Sequence, residues 1–349
     1  MKLRVGVVGL GDAWEARHRA ALRALGDRFE VRAVCEQVAH RAEQAANEFN
    51  AAHIHGFRAL ANRDDIDAVL MLSPQWYGAL PLLAACEFGK AIYCAAALDL
   101  DPQQAEEIRD RVRRSGVAFM AEFPRRQSPA TLRLKELIAT SLGPPRLLFC
   151  HQRLIVDDPP QNGHVSRPWH TTPMTRALME LVDWCRYVVG ADPSSVVGVS
   201  HRHRRDQEEG VDYQMMSLEF PGDVVDDSES ALGTSPSVTA QISCGHYMPS
   251  IWKEAVSFRT PAGLQVCCEN GVAFVDLPSK LIWFDSAGRH EESLDFERPV
   301  GEQLLSHFHR AVTSLVRKTS DLEDAYRALS TVLSARQSCQ QGQRIELKF

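Results

Sequence analysis

The sequence predicts two domains, the first a doubly wound parallel α/β sheet and the second an α+β unit with a large, open, mostly antiparallel sheet. Two observations predict this architecture. Through residue 122, short apolar runs alternate with helical patterns, as a parallel sheet covered by helices on both faces requires. Beyond that point, strand patterns follow one another through turn signals such as Glu269-Asn270-Gly271, which indicate antiparallel hairpins. The predicted domains are therefore residues 1–122 and 123–349.

The overall composition narrows the classes of partner. Hydrophobic residues make up 44% and charged residues 24% of the 349 residues, as in an ordinary globular protein. The net charge of −6 gives no electrostatic reason to expect nucleic acid or an anionic membrane as a partner. The sequence shows no stretch of membrane-spanning length, no room for a signal peptide and no metal-ligand spacing among its nine cysteines. We therefore expect a cytoplasmic protein with reduced cysteines and no metal site.

The first element is a strand that ends in a glycine turn. The apolar run V-G-V-V-G-L-G closes with Gly9 and Gly11, and a helical pattern follows directly. The first glycine makes the turn, and the second lets a pyrophosphate approach the backbone near the positive end of the helix. A second strand, Phe29–Cys35, delivers Glu36 where a carboxylate could bond a ribose hydroxyl. The pattern predicts a dinucleotide site that prefers NAD to NADP, because Glu36 favours a free ribose hydroxyl.

Trp14 occupies the place of the third glycine of this fingerprint. Three roles for its indole stay open: stacking on a nucleotide ring, filling the pyrophosphate pocket, or packing over the first helical turn. The second role would keep a dinucleotide out. The sequence therefore predicts a site of dinucleotide-binding ancestry and leaves its occupancy open.

Three further apolar runs complete the predicted parallel sheet. They are Ala68–Leu72, Ala91–Cys94 and Val117–Ala121, separated by helical patterns at Trp76–Phe88 and Pro102–Ser115. Ligands in such sheets bind at the carboxyl ends of the strands. We therefore predict that a nucleotide contacts the residues at those ends, which are Gly9, Gly11, Asp12, Trp14, Glu36, Ser73, Pro74, Gln75, Cys94 and Glu122.

The second domain begins with a helix at about Ser128–Thr140 and is dominated by strands. A Pro- and His-rich stretch, Asp157–Pro173, precedes a helix at Met174–Val189. The predicted strands are Arg146–Val156, Ser194–His201, Tyr213–Phe220, Val238–Cys244, Glu254–Thr260, Leu264–Glu269, Val272–Asp276 and Lys280–Asp285, and the closing helices are Val300–Arg317 and Leu322–Gln340. The polar segment Gly222–Ser237 is predicted to be a mobile loop. The large sheet is a candidate surface for a homo-oligomer, either a dimer or a tetramer.

This order of elements resembles the glucose-fructose oxidoreductase, inositol dehydrogenase and rhizopine-catabolism (Gfo/Idh/MocA) family. The resemblance covers nearly the whole chain, and the motifs that carry it are Gly9-Leu10-Gly11 with His18, Glu36, Ser73-Pro74-Gln75, Ala85–Lys90, Arg126 with Pro129, Trp169 and Asp321–Ile345. It implies a Rossmann-type first domain and NAD or NADP as cofactor. It also implies hydride transfer from a sugar, sugar acid or cyclitol, in which a lysine and a histidine manage the proton.

The residues that would carry this chemistry differ in the present chain. The family's lysine belongs to a Glu-Lys-Pro motif normally preceded by cysteine, and the run Cys94–Ala97 places Ala96 at the lysine. An alanine cannot donate, accept or carry charge. In the family's second signature, on a helix, Glu180 stands at the histidine and Arg176 at the first aspartate, while Asp183 is kept. The resemblance therefore identifies a divergent member.

Three functions follow from these departures. The first is a sugar oxidoreductase with an altered or impaired centre, in which Glu180 or His170 carries the proton beside Asp183. The second is a catalytically silent binding or regulatory paralogue, and the third is an NAD-assisted glycosidase or lyase. Structural roles compete for the same residues. They are ion pairs of Glu180 and Asp183 with Arg176 and Arg186, capping or pairing of Glu122 with Arg125 or Arg126, and a structural hydrogen bond from His18.

Overall fold

The computed structural model describes residues 2–11, 13–73, 77–95, 102–156, 173–205, 208–222, 237–249, 251–258, 261–314 and 320–349. These residues form two compact units. The first unit contains the described residues up to Gln127 together with those of Arg298–Arg327, and the second contains the others. The helix Val300–Thr313 thus packs in the first unit, whereas the boundary predicted from the sequence assigned it to the second domain.

The first unit is built on a six-stranded parallel sheet, which confirms the predicted doubly wound fold. Its strands are β1 (Leu3–Val8), β2 (Phe29–Cys35), β3 (Ala52–His53), β4 (Ala68–Met71), β5 (Ala91–Cys94) and β6 (Phe119–Ala121), in the order β3-β2-β1-β4-β5-β6. Its connecting helices are α1 (Arg19–Ala24), α2 (Ala39–Phe49), α3 (Phe57–Ala61), α4 (Leu80–Glu87) and α5 (Pro102–Ser115), with a π-helical turn at Trp14–His18 before α1. The strand order reverses between β1 and β4, and this is the place where sheets of this class bind ligands.

The second unit is built on a nine-stranded, mostly antiparallel sheet, again as predicted. Its strands are β7 (Pro145–Val156), β8 (Ser195–Arg205), β9 (Glu208–Phe220), β10 (Val238–Pro249), β11 (Leu264–Cys268), β12 (Val272–Asp276), β13 (Lys280–Asp285), β14 (Gly288–Ser293) and β15 (Ile345–Glu346), in the order β14-β13-β12-β11-β7-β10-β9-β8-β15. The remaining helices are α6 (Pro129–Leu137), α7 (Pro173–Val189), α8 (Lys253–Ser257), α9 (Val300–Thr313) and α10 (Ser320–Gln341). Helix α7 covers β7 and β10.

One strand prediction in this unit is wrong. Glu254–Thr260 was expected to be extended, but Lys253–Ser257 forms the short helix α8. The lysine, glutamate and alanine that begin it favour a helix, and this local preference prevails over the apolar residues that suggested a strand. The predicted mobile loop lies, apart from its ends, outside the described residues. Among the residues that are described, no helix is long and apolar enough to cross a membrane.

Candidate functional site

The glycine turn packs tightly against the end of β4. Gly9 has a φ of +76°, in the left-handed region that favours glycine. A Cβ atom on Gly9 would lie 2.6 Å from the carbonyl oxygen of Ser73, and one on Gly11 would lie 2.9 Å from the Ser73 Cβ. The two glycines are therefore required by the backbone, and the fold brings Ser73 beside the turn at the carboxyl edge of the sheet.

Glu36 holds this turn from the end of β2. Its side chain is buried, and its Oε2 accepts a hydrogen bond of 2.6 Å from the N–H of Leu10, between the two glycines. The other oxygen accepts from the N–H groups of Gln37 and Val38 at 3.0 and 3.2 Å. Three backbone donors thus satisfy most of the accepting capacity of the carboxylate. Glu36 fixes the shape of the turn, and its contact with a ribose hydroxyl stays a prediction.

A cation lies on the other side of Leu10. Arg41, on α2, donates from Nη2 to the Leu10 carbonyl. The turn is therefore clamped at one residue by an acid that accepts from its N–H and a guanidinium that donates to its carbonyl. The sequence does not predict this contact of Arg41 with the turn, because it depends on how α2 packs.

Trp14 is part of the core of the first unit. It is 2% exposed, and its ring lies 5.7 Å from that of Phe49 on α2, at an angle of 58°. It begins the π-helical turn Trp14–His18, and its backbone N–H donates a hydrogen bond of 2.9 Å to the carbonyl of Gly11. A π-helical turn holds an extra residue, and such turns recur at functional sites. Of the three roles left open by the sequence, these contacts support packing, because stacking on a ligand needs an accessible ring face.

A buried polar cluster surrounds Glu122 at the end of β6. Its Oε2 lies 2.8 Å from Nε2 of His18 and accepts from the hydroxyl of Tyr93 at 2.9 Å, while its Oε1 accepts from Nε of Arg17 at 2.5 Å. Burial alone would raise the pKa of Glu122, but His18 and Arg17 hold that pKa below its ordinary value. Burial, followed by the charge of Glu122, raises the pKa of Tyr93.

This cluster corrects the expected partners of Glu122. Arg126 instead pairs with Asp324 at 2.8 Å and stacks over the ring of Phe123. The partners that Glu122 does have lie on the turn before α1 and on β5, so the carboxylate ties the glycine-turn region to two strand ends. The structural hydrogen bond expected of His18 is present, and Glu122 is fully enclosed by these groups.

The other predicted strand-end residue, Cys94, is also buried. Its carbonyl accepts the N–H of Glu122 at 2.9 Å, so it joins the ends of β5 and β6 through the backbone. Five residues singled out by the sequence lie outside the described residues: Asp12, Pro74, Gln75, Ala96, which is predicted to stand at the family's lysine, and His170, which is predicted as a proton carrier.

The second-unit candidates lie on α7. Asp183 is 1% exposed, and its Oδ1 lies 3.7 Å from Nη1 of Arg186. The Nε of Arg186 also donates to Oδ1 of Asp192 at 2.7 Å. The competing ion-pair role of Asp183 with Arg186 is therefore present in the structure. Glu180 is half-buried one turn earlier on the same helix, and Arg176 is exposed. Within the described ranges, no group of three or more His, Cys, Asp or Glu residues is arranged to hold a metal ion.

The first domain of this chain is similar in sequence to proteins of a known family. Residues 3–123 match the Gfo/Idh/MocA model, which is described as an oxidoreductase family with an NAD-binding Rossmann fold. A dTDP-3,4-didehydro-2,6-dideoxy-alpha-D-glucose 3-reductase of Actinomadura kijaniata is 34% identical over 35% of this chain and 36% of its own. An inositol 2-dehydrogenase 3 of Saccharopolyspora erythraea is 30% identical over 44% of this chain and 46% of its own. The chain thus spans less than half the length of these two relatives.

Solved structures match over nearly the whole chain. An aldose-aldose oxidoreductase from Caulobacter crescentus has a TM-score of 0.80 at 14% identity, covering 99% of this chain and 100% of that one. A UDP-N-acetylglucosamine 3-dehydrogenase from Acidithiobacillus ferrooxidans has a TM-score of 0.73 at 18% identity, covering 98% and 99%. At these identities the likeness shows the fold alone. The match to the Gfo/Idh/MocA family therefore covers residues 3–123, and beyond them the solved structures share the fold of the chain.

Proposed function

We propose that this protein is an NAD-dependent oxidoreductase of a sugar, sugar acid or cyclitol whose proton-transfer centre differs from that of its family. The observation that carries the proposal is the glycine turn. It is closed against Ser73 and held by Glu36, so its backbone is shaped in advance for a dinucleotide. The sugar-acting relatives support the substrate class. The dinucleotide would supply the hydride acceptor, and the protein would supply binding, orientation and proton transfer.

The choice of dinucleotide depends on Glu36 and Arg41, which favour opposite outcomes. An acid after the second strand favours the ribose hydroxyl of NAD, and an arginine nearby can accommodate the 2′-phosphate of NADP. We propose NAD, because Arg41 already donates to Leu10 and the acid has the position of the fingerprint. Calorimetric titration with NAD⁺, NADH, NADP⁺ and NADPH tests this. NADP(H) binding that is tighter than NAD(H) binding, and is lost in Arg41→Ala, would reassign the cofactor.

For the proton carrier we propose Glu180, with His170 as the alternative. Asp183 is held by Arg186, and we assign it the task of positioning α7. In Glu180→Gln, the turnover number is expected to fall about 100-fold, because a positioned acid–base group contributes about that factor or more. The measurement is steady-state NADH formation with a panel of sugars, sugar acids and cyclitols. Glu136→Gln, on α6 with its side chain 64% exposed, is the matched control and should turn over like the wild type.

A second function is favoured by one sequence observation, the C-A-A-A run in place of the lysine motif. A silent binding or regulatory paralogue would bind the dinucleotide or a sugar without turnover. If the wild-type protein binds NADH but reduces or oxidises no member of the panel, this alternative replaces the oxidoreductase. If no dinucleotide binds at all, the glycine turn is not a dinucleotide site and the oxidoreductase proposal is refuted.

The open face of the nine-stranded sheet supports a homo-oligomer. One row of directly opposed residues crosses the sheet through Phe149 on β7. On the side of β11, β12 and β13 the row continues through Gln265, Phe274 and Ile282. On the side of β10, β9 and β8 it continues through Gln241, Ser217 and Val197. Directly opposed residues share a face. This face carries exposed Phe149, Val197, Val199 and Phe284, which is more apolar surface than a solvated sheet needs. We propose that a second copy of the chain covers it.

Phe149→Arg is expected to convert this oligomer to a monomer, because it places a charge in the middle of the apolar face. Chromatography with light scattering at micromolar protein measures the mass. Phe296→Arg is the control, since Phe296 is fully exposed in the link between β14 and α9 and is not part of the sheet. A wild-type protein that is already monomeric, or a Phe149→Arg variant with wild-type mass, would refute the interface.

A further inference from the structure

We propose that the adenine ring of the dinucleotide packs against the ring of Tyr77 and the side chain of Val38, beside Glu36. This inference rests on the proposed function, because the cofactor is the one proposed above. The three residues belong to the first unit. Nucleotides that carry adenine without nicotinamide, such as ADP-ribose, would use the same surface, so that binding alone can test it.

Glu36 indicates where the base has to lie. It follows β2 at the carboxyl edge of the sheet, and a carboxylate at this position of the fingerprint accepts a hydrogen bond from the ribose of the adenosine. Adenine is bonded directly to that ribose, so the base lies close to Glu36. A flat, largely apolar ring is stabilised there by aromatic or apolar side chains that keep some surface accessible. Tyr77 and Val38 meet this requirement.

Tyr77 reaches the end of β2 from the loop that follows β4. Its hydroxyl accepts a hydrogen bond of 3.6 Å from the thiol of Cys35, the residue before Glu36, and its ring meets that of Phe57 on α3 edge to face, with the centroids 5.3 Å apart. Burial, followed by the bond with Cys35 and the nearby charge of Glu36, raises the pKa of Tyr77. The phenol is therefore neutral near pH 7 and held at two points. It is half-buried, so part of the ring is accessible to a base.

Val38 supplies apolar surface on the side of α2. It is the N-cap residue of α2, and its backbone N–H donates to Oε1 of Glu36 at 3.2 Å. Its side chain is 40% exposed and gives the helix no capping hydrogen bond, at a position where Ser, Asp or Asn is favoured. The local energetics of α2 therefore do not favour valine here. A base packed against Val38 would remove this apolar surface from water, which is favourable.

The test is calorimetric titration of the full chain with NADH and with ADP-ribose. Tyr77→Ala is expected to bind both ligands about 10-fold more weakly than the wild type, because the stacking of a base on an aromatic ring is lost. The factor should be the same for the two ligands, since both carry adenine. Tyr77→Phe keeps the ring and should bind like the wild type, which separates stacking from the bond with Cys35. Tyr326→Ala is the matched control and should also bind like the wild type, because its half-buried ring packs on Arg109 of α5.

Val38→Asn separates binding from folding. Asparagine is favoured at a helix N-cap, so the melting temperature should be at least that of the wild type, while the affinity for ADP-ribose falls about 5-fold because apolar surface is lost. Wild-type affinity for ADP-ribose in both Tyr77→Ala and Val38→Asn would overturn the adenine site, and so would a loss in Tyr77→Phe as large as that in Tyr77→Ala. A wild-type protein that binds NADH keeps the proposed function in either case. If the wild type binds neither ligand, the proposed function fails and the adenine site fails with it.

Discussion

Replacing Glu122 by alanine is expected to lower the free energy of unfolding by about 3–5 kcal/mol, because it leaves the buried imidazole of His18 and the half-buried guanidinium of Arg17 without their anion. Arg17, His18 and Tyr93 all converge on this carboxylate. Equilibrium urea denaturation measures the change. Glu87→Ala is the control, because Glu87 pairs with Arg58 at the surface and such pairs contribute about 1 kcal/mol or less. An equal loss of unfolding free energy in the two variants would show that the cluster around Glu122 stabilises the fold no more than a surface ion pair does.

The same cluster predicts how stability depends on pH. The pKa of Glu122 is lower in the folded protein than its ordinary value of 4.5, so the folded state binds the proton less readily than the unfolded state. Its contribution is therefore present above about pH 4.5 and is lost as the pH falls through the folded pKa. Glu122→Gln should flatten the acid side of the stability profile between pH 5 and 3 by comparison with the wild type. Parallel profiles for the two proteins would contradict this assignment.

Replacing Trp14 by alanine is expected to cost about 3–5 kcal/mol of unfolding free energy, because the indole is buried and packs on Phe49. Trp14→Phe keeps a ring at that place and should lose less. Thermal and urea denaturation measure both variants. The affinity for NADH, measured beside stability, separates the roles of the residue. Packing predicts that neither variant binds NADH more tightly than the wild type, and a blocking role predicts that Trp14→Ala gains affinity.

Much of the fold could be predicted because its signals are local. Alternating apolar runs and helical patterns indicated the parallel sheet, and turn residues indicated the hairpins. The three elements that the sequence did not predict correctly share one reason, which is that their local patterns are too short or too weak. Strand β3 has only two residues, too few for a pattern, and Lys253–Ser257 became a helix because a short apolar segment does not distinguish the two states. The strand β14 likewise lacks an apolar alternation and was missed.

The residues of the candidate site likewise fall into those that local motifs predict and those whose contacts depend on the tertiary structure. The glycine turn, Glu36 and the position of Ser73 follow from motifs and from the rule that strand ends meet at one edge. The partners of Glu122 do not, because His18 lies 104 residues earlier in the chain and Tyr93 29 residues earlier. The contact of Arg41 with Leu10 and the burial of Trp14 likewise depend on how α2 packs.

The sequence by itself therefore determined most of the order of the elements and the glycine turn, since each is written in neighbouring residues. Only the tertiary structure decided that Glu36 locks the turn, that Trp14 packs in the core, that Glu122 joins Arg17 and His18, and that Tyr77 lies beside Cys35. The physical reason is that hydrogen bonds, ion pairs and cavities arise between residues far apart in the chain, and their energies depend on burial and distance that no local pattern contains.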